Sequence, residues 1–361
     1  MRSESQKTFH AVRFALAGLT DWLGPIGFTG GVQFPGSAYG EQQVEMKFKG
    51  TKKTFALTPD ITMKVLNRYR GPIAFNGMKK IVVGEEGLIE LEFAKPQSVK
   101  ALFREILIWQ AFVTLATNRP SYIKGMSVSG SDLKYGAGVI FPGMRREDES
   151  DARNREILFS YGRLGAKLGP ALSKWRRGFD VLETPFTVFA GTFFQTDAFI
   201  HTKLLAYLQA IEVLHRKLHP GGRFTNDLEK AKVVQALKSA VPQTLPEETW
   251  QSIANYVQQV GEWSLLDRLK ALYGVYPKTF GSLFPNGVKD LRELRDVRNY
   301  LTHYSDQSRF DADYPTSPAL VKLAARAKLF LEVCLLGILG LKDEEIHTLM
   351  QDYEPFQDAR T

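Results

Sequence analysis

One stretch of the chain gathers side chains able to grip a phosphate and move a proton. It is Leu291–Tyr304, LRELRDVRNYLTHY. Arg295, Asn299 and His303 recur every four residues, with Arg298 and Thr302 beside them. A guanidinium suits the non-bridging oxygens of a phosphodiester, because its planar fork gives charge-assisted, often bidentate, hydrogen bonds. An imidazole titrates near neutrality and suits proton transfer. Lining up two guanidiniums, an amide, a hydroxyl and an imidazole is costly unless they are used. The competing reading is plain. Arg298 pairs with Asp296 or Glu293 on a solvated face, and His303 is an ordinary helix-end histidine.

The element that must position these groups is a helix. Leu291, Leu294, Val297, Leu301 and Tyr304 recur at spacings of three and four, an amphipathic pattern with its apolar side opposite the polar set. Arg298-Asn299, three further residues and then His303 resemble the signature of the HEPN superfamily. Leu204–Arg216 (LLAYLQAIEVLHR), the motif helix and the apolar Leu320–Leu341 follow in the order of the ApeA-like HEPN subgroup of bacterial antiphage proteins. The resemblance implies a helical RNA-binding or RNA-cleaving domain that works as a dimer. Ser305 stands where HEPN toxins paired with a nucleotidyltransferase carry a modifiable tyrosine, which argues against that subtype.

RNA carries its own nucleophile, the 2′-hydroxyl. A cleaving enzyme need only remove that proton, balance phosphorane charge and protonate the leaving 5′-oxygen, and this needs no metal. His303 is then the general base or acid and Arg298 the phosphate and transition-state clamp. Asn299 orients His303 or phosphate one turn away. Arg295 and Thr302 are accessory candidates. Glu212 is a third, able to hold an arginine or histidine of the site, with Arg216 at i+4 as its competing partner. Arg298 and His303 are five residues apart, about 140° around an ideal helix. One histidine also cannot be base and acid on opposite sides of one phosphorus. A two-fold dimer resolves both points.

Length and composition bound the rest. The 361 residues allow two or three domains, and 44% hydrophobic with 24% charged residues can build buried cores. A net charge of +8 and a pI near 9.3 favour an anionic partner, although a membrane surface or simple solubility would read the same way. The single cysteine, Cys334, excludes an intrachain disulfide and a cysteine-based metal site. The histidines are read as holding no HxxxH or HExxH pair, so a zinc hydrolase is not expected, and neither metal nor cofactor enters the expectation. The N-terminus lacks a signal-peptide core, and Leu329–Leu341, with Glu332 inside it, is too short for a membrane span of about 20 residues. A cytoplasmic protein with no membrane partner is expected.

Along the chain, Ala11–Leu23 reads as a short helix. Val44–Phe48, Thr54–Leu57, Ile81–Val83, Leu88–Phe93, Tyr122–Val128, Val139–Phe141 and Ile157–Tyr161 read as strands. Pro96 opens a helix from Ser98 to Thr117. Gly24–Gly40 serves turns, since no Gly-Lys-Ser/Thr follows it. Met144–Asn154 is an exposed charged loop. From Gly162 the pattern is helical: Leu164–Phe179, Pro185–Phe194, Phe199–Leu218, a helix capped by Asn226 and running to Ala240, Glu247–Gln259, Leu265–Tyr273, the motif helix with Asn286 as its cap, and a polar loop, Asp306–Pro318, before the last helix. The expected fold is an α+β N-terminal domain, mostly antiparallel β, over residues 1–160, followed by an all-α HEPN bundle over 161–361.

The functional expectation is a metal-independent endoribonuclease of antiphage defence, acting on tRNA or mRNA as a homodimer, with the N-terminal domain meeting a phage-derived trigger. Two alternatives stand beside it. One is a nuclease-dead HEPN protein serving as an RNA-binding scaffold. The other is a small-molecule sensor whose helical part only dimerises.

Overall fold

The computed structural model describes residues 7–24, 27–33, 43–74, 81–130, 136–140, 154–222, 224, 226–242, 244–258, 261–303 and 317–360. The N-terminal half runs β1 (Thr8–Leu16), α1 (Leu19–Leu23), β2 (Phe28–Gln33), β3 (Gln43–Phe48), β4 (Thr51–Thr58), β5 (Ile61–Ala74), β6 (Ile81–Ser98), α2 (Val99–Thr117), β7 (Ile123–Ser129) and β8 (Ala137–Val139). Its main sheet has the order β4-β5-β6-β1-β7-β8, with every neighbouring pair antiparallel, and β2 pairs with β3 apart from it.

Alternation decides which face of that sheet is buried. Val12 and Phe14 of β1, Met63 and Val65 of β5, and Ile89 and Leu91 of β6 point to one side and are buried. The register sets Arg13 and Lys64 opposite Glu90 on the other side, where the three form ion pairs. Helix α2 covers the apolar face with Leu102, Ile106, Trp109 and Phe112. Ser98 caps it, its hydroxyl accepting from the Ala101 N–H at 3.3 Å.

The second half is α3 (Tyr161–Leu164), α4 (Leu168–Phe194), α5 (Ile200–Leu218), α6 (Asp227–Ala240), α7 (Glu247–Gln258), α8 (Leu265–Val275), α9 (Pro277–Leu283), α10 (Val288–His303), α11 (Pro318–Ile338), α12 (Asp343–Gln351) and α13 (Glu354–Arg360). α4 packs on α2, and α5 and α11 pack on α4. One hydrophobic core runs from Val12 in the sheet to Ala359 in the last helix. Among the described residues no helix is long and apolar enough to cross a membrane.

Several expectations need correction. Ala11–Leu16 is strand and only Leu19–Leu23 is helix, because Val12, Phe14 and Leu16 are buried with a period of two. Ile157–Tyr161 is not a strand. Leu158 and Phe159 plug the core there, their N–H groups bonded to the Ala116 carbonyl at the end of α2. Pro96 lies within β6, and the helix starts beyond it. Leu164–Phe179 and Pro185–Phe194 are parts of one helix, α4, which begins at Leu168 and bends at Leu182. Pro185 explains the bend, since its ring displaces the carbonyl four residues earlier. Ile81–Val83 and Leu88–Phe93 are parts of one strand, β6, and β2, β5, α3, α9, α12 and α13 fall outside the expected elements. The charged run 144–153 and the loop 306–316 lie outside the described residues.

Candidate functional site

α10 packs against α5 and α8, and its sequence dictates which side does so. Leu291, Leu294, Val297, Tyr300 and Leu301 are all buried. Asn286 does not cap the helix with its side chain as expected. It donates to Asp290 instead, from its backbone N–H at 2.9 Å and from Nδ2 at 3.1 Å. Asp290 thus places a buried carboxylate in the first turn, where the helix dipole favours it.

The polar side carries the candidates. Arg298 is half-buried. Its Nη2 stands 3.5 Å from Glu212 Oε2 on α5, and its Nη1 donates to Asn299 Oδ1 at 3.3 Å. Thr302 is exposed and donates its hydroxyl to the Arg298 carbonyl at 2.7 Å. Arg298, Asn299, Thr302 and Glu212 are therefore brought together. Arg295 is turned aside and pairs with Asp296 at 2.6 Å. His303 is the last residue of α10, and its side chain and all of Tyr304 lie outside the described residues. Glu212 settles on Arg298 across the helix interface rather than on Arg216 along its own helix. With Glu212 holding it, Arg298 has a preset direction and still a third of its side-chain surface free, as a phosphate clamp needs.

The end of α5 and the start of α8 hold groups absent from the expected site. His215, 1% exposed, accepts at Nδ1 from Arg268 Nη1 at 3.3 Å, and Arg268 Nε donates to the Trp263 carbonyl at 3.1 Å. His215 and His219, the residue just past the end of α5, stand at i, i+4 spacing with ring centres 4.7 Å apart. This HxxxH pair overturns the expectation that none occurs and was the available signal, but the partner Arg268 is not deducible from it. Among the described residues no three His, Cys, Asp or Glu side chains gather as metal ligands do.

Burial, then His219 and Arg268, push the His215 imidazole down to about 4. The ring is neutral at physiological pH, as its acceptor role requires. The ordinary value is 6.5, so the unfolded chain takes up a proton that the folded chain refuses. Stability that is complete above pH 6.5 is lost as pH falls toward 4, by about 3 kcal/mol from this residue. His215→Asn keeps an acceptor but cannot titrate, so urea unfolding at about pH 7 and about pH 4 should show a smaller drop for the variant. An equal drop in both proteins would mean that His215 is protonated in the fold.

Two family models match the chain. One, described as ApeA N-terminal domain 1, covers residues 1–175, and the other, described as Apea-like HEPN, covers residues 205–345. The second match contains Glu212, Arg268 and the whole of α10. No curated protein and no solved structure matches.

Proposed function

This chain belongs to the ApeA-like HEPN family of antiphage-defence proteins, and from that premise we propose that its helical half is a metal-independent endoribonuclease. The observation that carries the reading is the motif arginine: Arg298 stands at the edge of solvent, held by Glu212, on a helix whose opposite side is locked into the core.

In this mechanism His303 takes the 2′-hydroxyl proton and the oxygen attacks phosphorus. The O2′–P bond forms as the P–O5′ bond breaks. Arg298, directed by Glu212 and beside Asn299, offsets charge on the non-bridging oxygens. The departing 5′-oxygen takes a proton from the same histidine of a second copy, which makes the working unit a homodimer through the helical domain. His303 ends its helix, where the dipole favours the protonated acid form. Arg295, committed to Asp296, and Thr302, bonded back to its own helix, are accessory at most.

Residues 1–160 form the part that meets a phage-derived trigger, and residues 161–361 the part that cuts tRNA or mRNA in the cytoplasm, an abortive-infection outcome. Purified protein incubated with tRNA and mRNA in EDTA should release fragments with 2′,3′-cyclic phosphate and 5′-hydroxyl ends. His303→Ala should release none, and 2′-deoxy or 2′-O-methyl substitution at the cut position should block cleavage. Equal cutting of DNA, or cleavage surviving in His303→Ala, refutes the mechanism.

A further inference from the structure

The C-terminal end of α5 leads away from Arg298 into a cleft of about 820 Å³, bounded also by the start of α6 and the start of α8. A cleft of this size suits a nucleotide-sized ligand. The backbones that form its floor meet closely: a Cβ on Gly222 would lie 2.6 Å from the Gly261 carbonyl oxygen.

Three cations line the cleft: Arg216 from α5, Lys230 from α6 and Arg268 from α8. Arg268 is only 5% exposed, and among the described residues its hydrogen bonds go to two neutral acceptors, the Trp263 carbonyl and His215 Nδ1. Glu212, Glu262 and Asp267 act on it only at a distance. A buried guanidinium bonded to no carboxylate is costly, and an anion in the cleft offsets that cost. Arg216 follows Glu212 by one turn of α5, and Glu212 holds Arg298. Arg298 and Arg216 thus stand on either side of Glu212 along the way from the motif to the cleft. Half-buried Trp263 adds an indole, a surface on which any base can stack. Asp227 and Glu262 at the same cleft can accept from exocyclic amino groups of a base.

We propose that this cleft binds a nucleotide of single-stranded RNA next to the phosphate being cut, with phosphate on Arg216, Lys230 and Arg268 and base on Trp263. The proposal rests on the ribonuclease reading for its neighbouring phosphate. A free nucleotide offers the same chemistry and is the other source to be separated.

The test uses the full chain, a short fluorescent 2′-O-methyl oligoribonucleotide that cannot be cut, and AMP and inorganic phosphate as competitors. Arg216→Ala and Lys230→Ala, both at solvent-accessible positions, should each weaken oligonucleotide binding about tenfold and reduce the slope of log affinity against log salt by about 0.7. Trp263→Leu should lose about tenfold, and Trp263→Phe should keep most of the affinity. Melting curves check that each variant folds. His303→Ala should bind as the parent does. If the parent binds the oligonucleotide and all three losses are absent, or if no binding occurs at low salt, the proposal is overturned. It is overturned as well if the variants lose AMP and keep RNA, since the cleft then serves a free nucleotide. A parent that binds RNA through these residues but does not cut it would sink the nuclease reading and leave the cleft standing.

Discussion

Arg298→Ala and His303→Ala should each abolish RNA cleavage and barely move the melting temperature, whereas Leu294→Ala should cost about 2–5 kcal/mol of stability. The contrast follows from which way α10 faces. Leu294 is wholly buried, on a helix that packs against α5 and α8, so truncation leaves a cavity. Arg298 keeps a third of its side chain in solvent, and its ion pair with Glu212 is partly exposed and so contributes little to folding. Its proposed worth lies in the transition state, where charge grows on the non-bridging oxygens. Positioned acid–base groups are worth about 10²–10⁴ in rate, which sets the scale for His303→Ala. Arg298→Lys sharpens the test. It keeps the charge and loses the fork, so most of the activity should go with it. Glu212→Gln should leave RNA binding intact and lower turnover, as expected of a residue that only directs Arg298. Single-turnover rates, filter binding and thermal melts on the same preparations separate these effects. If His303→Ala unfolds the protein while Leu294→Ala is silent, α10 is turned the other way and the site has no basis.

The apolar side of α10 was legible because a period of three and four over Leu291–Leu301 has one physical meaning, burial of one helix face. Its partner was not. Along α5, Glu212 and Arg216 have the spacing of a surface pair, and only the packing of α10 on α5 offers Glu212 a better cation. Short apolar runs failed for a different reason. Ala11–Leu16 fits either period over so few residues, and the flanking β6 and β7 decided for strand. β5 escaped notice because its outward positions carry Lys64 and Arg68, and the positions themselves gain meaning only opposite Glu90 and Glu86. The cleft groups were the least accessible to sequence reasoning: His215 and Arg268 touch across two intervening helices.

The same limit hid the contact with the largest expected effect on folding. Glu105, on α2 of the N-terminal half, and Arg176, on α4, are of residue types that are seldom buried. They lie instead with side chains only 8% and 9% exposed, joined by two hydrogen bonds, Nε to Oε2 at 2.8 Å and Nη2 to Oε1 at 2.6 Å. Asp180 takes Arg176 Nη1 at 2.8 Å. Burial raises the Glu105 carboxyl above its ordinary range, even against the pull of Arg176. Arg176→Ala therefore strands a carboxylate in the core between the two halves, and we expect a loss of about 3–5 kcal/mol. Arg176→Met combined with Glu105→Leu should recover most of it, because no charge is then left to desolvate. The sign with pH is fixed as well. A carboxyl whose folded value is raised is tolerated while protonated, so its contribution is favourable at low pH and is lost as pH rises from 4.5 through the raised value. The deficit of Arg176→Ala, measured by urea unfolding, should thus be smaller at about pH 5 than at about pH 8. A deficit that is small and unchanged between those two conditions would mean that water reaches Glu105, and that the two halves are not locked together by this pair.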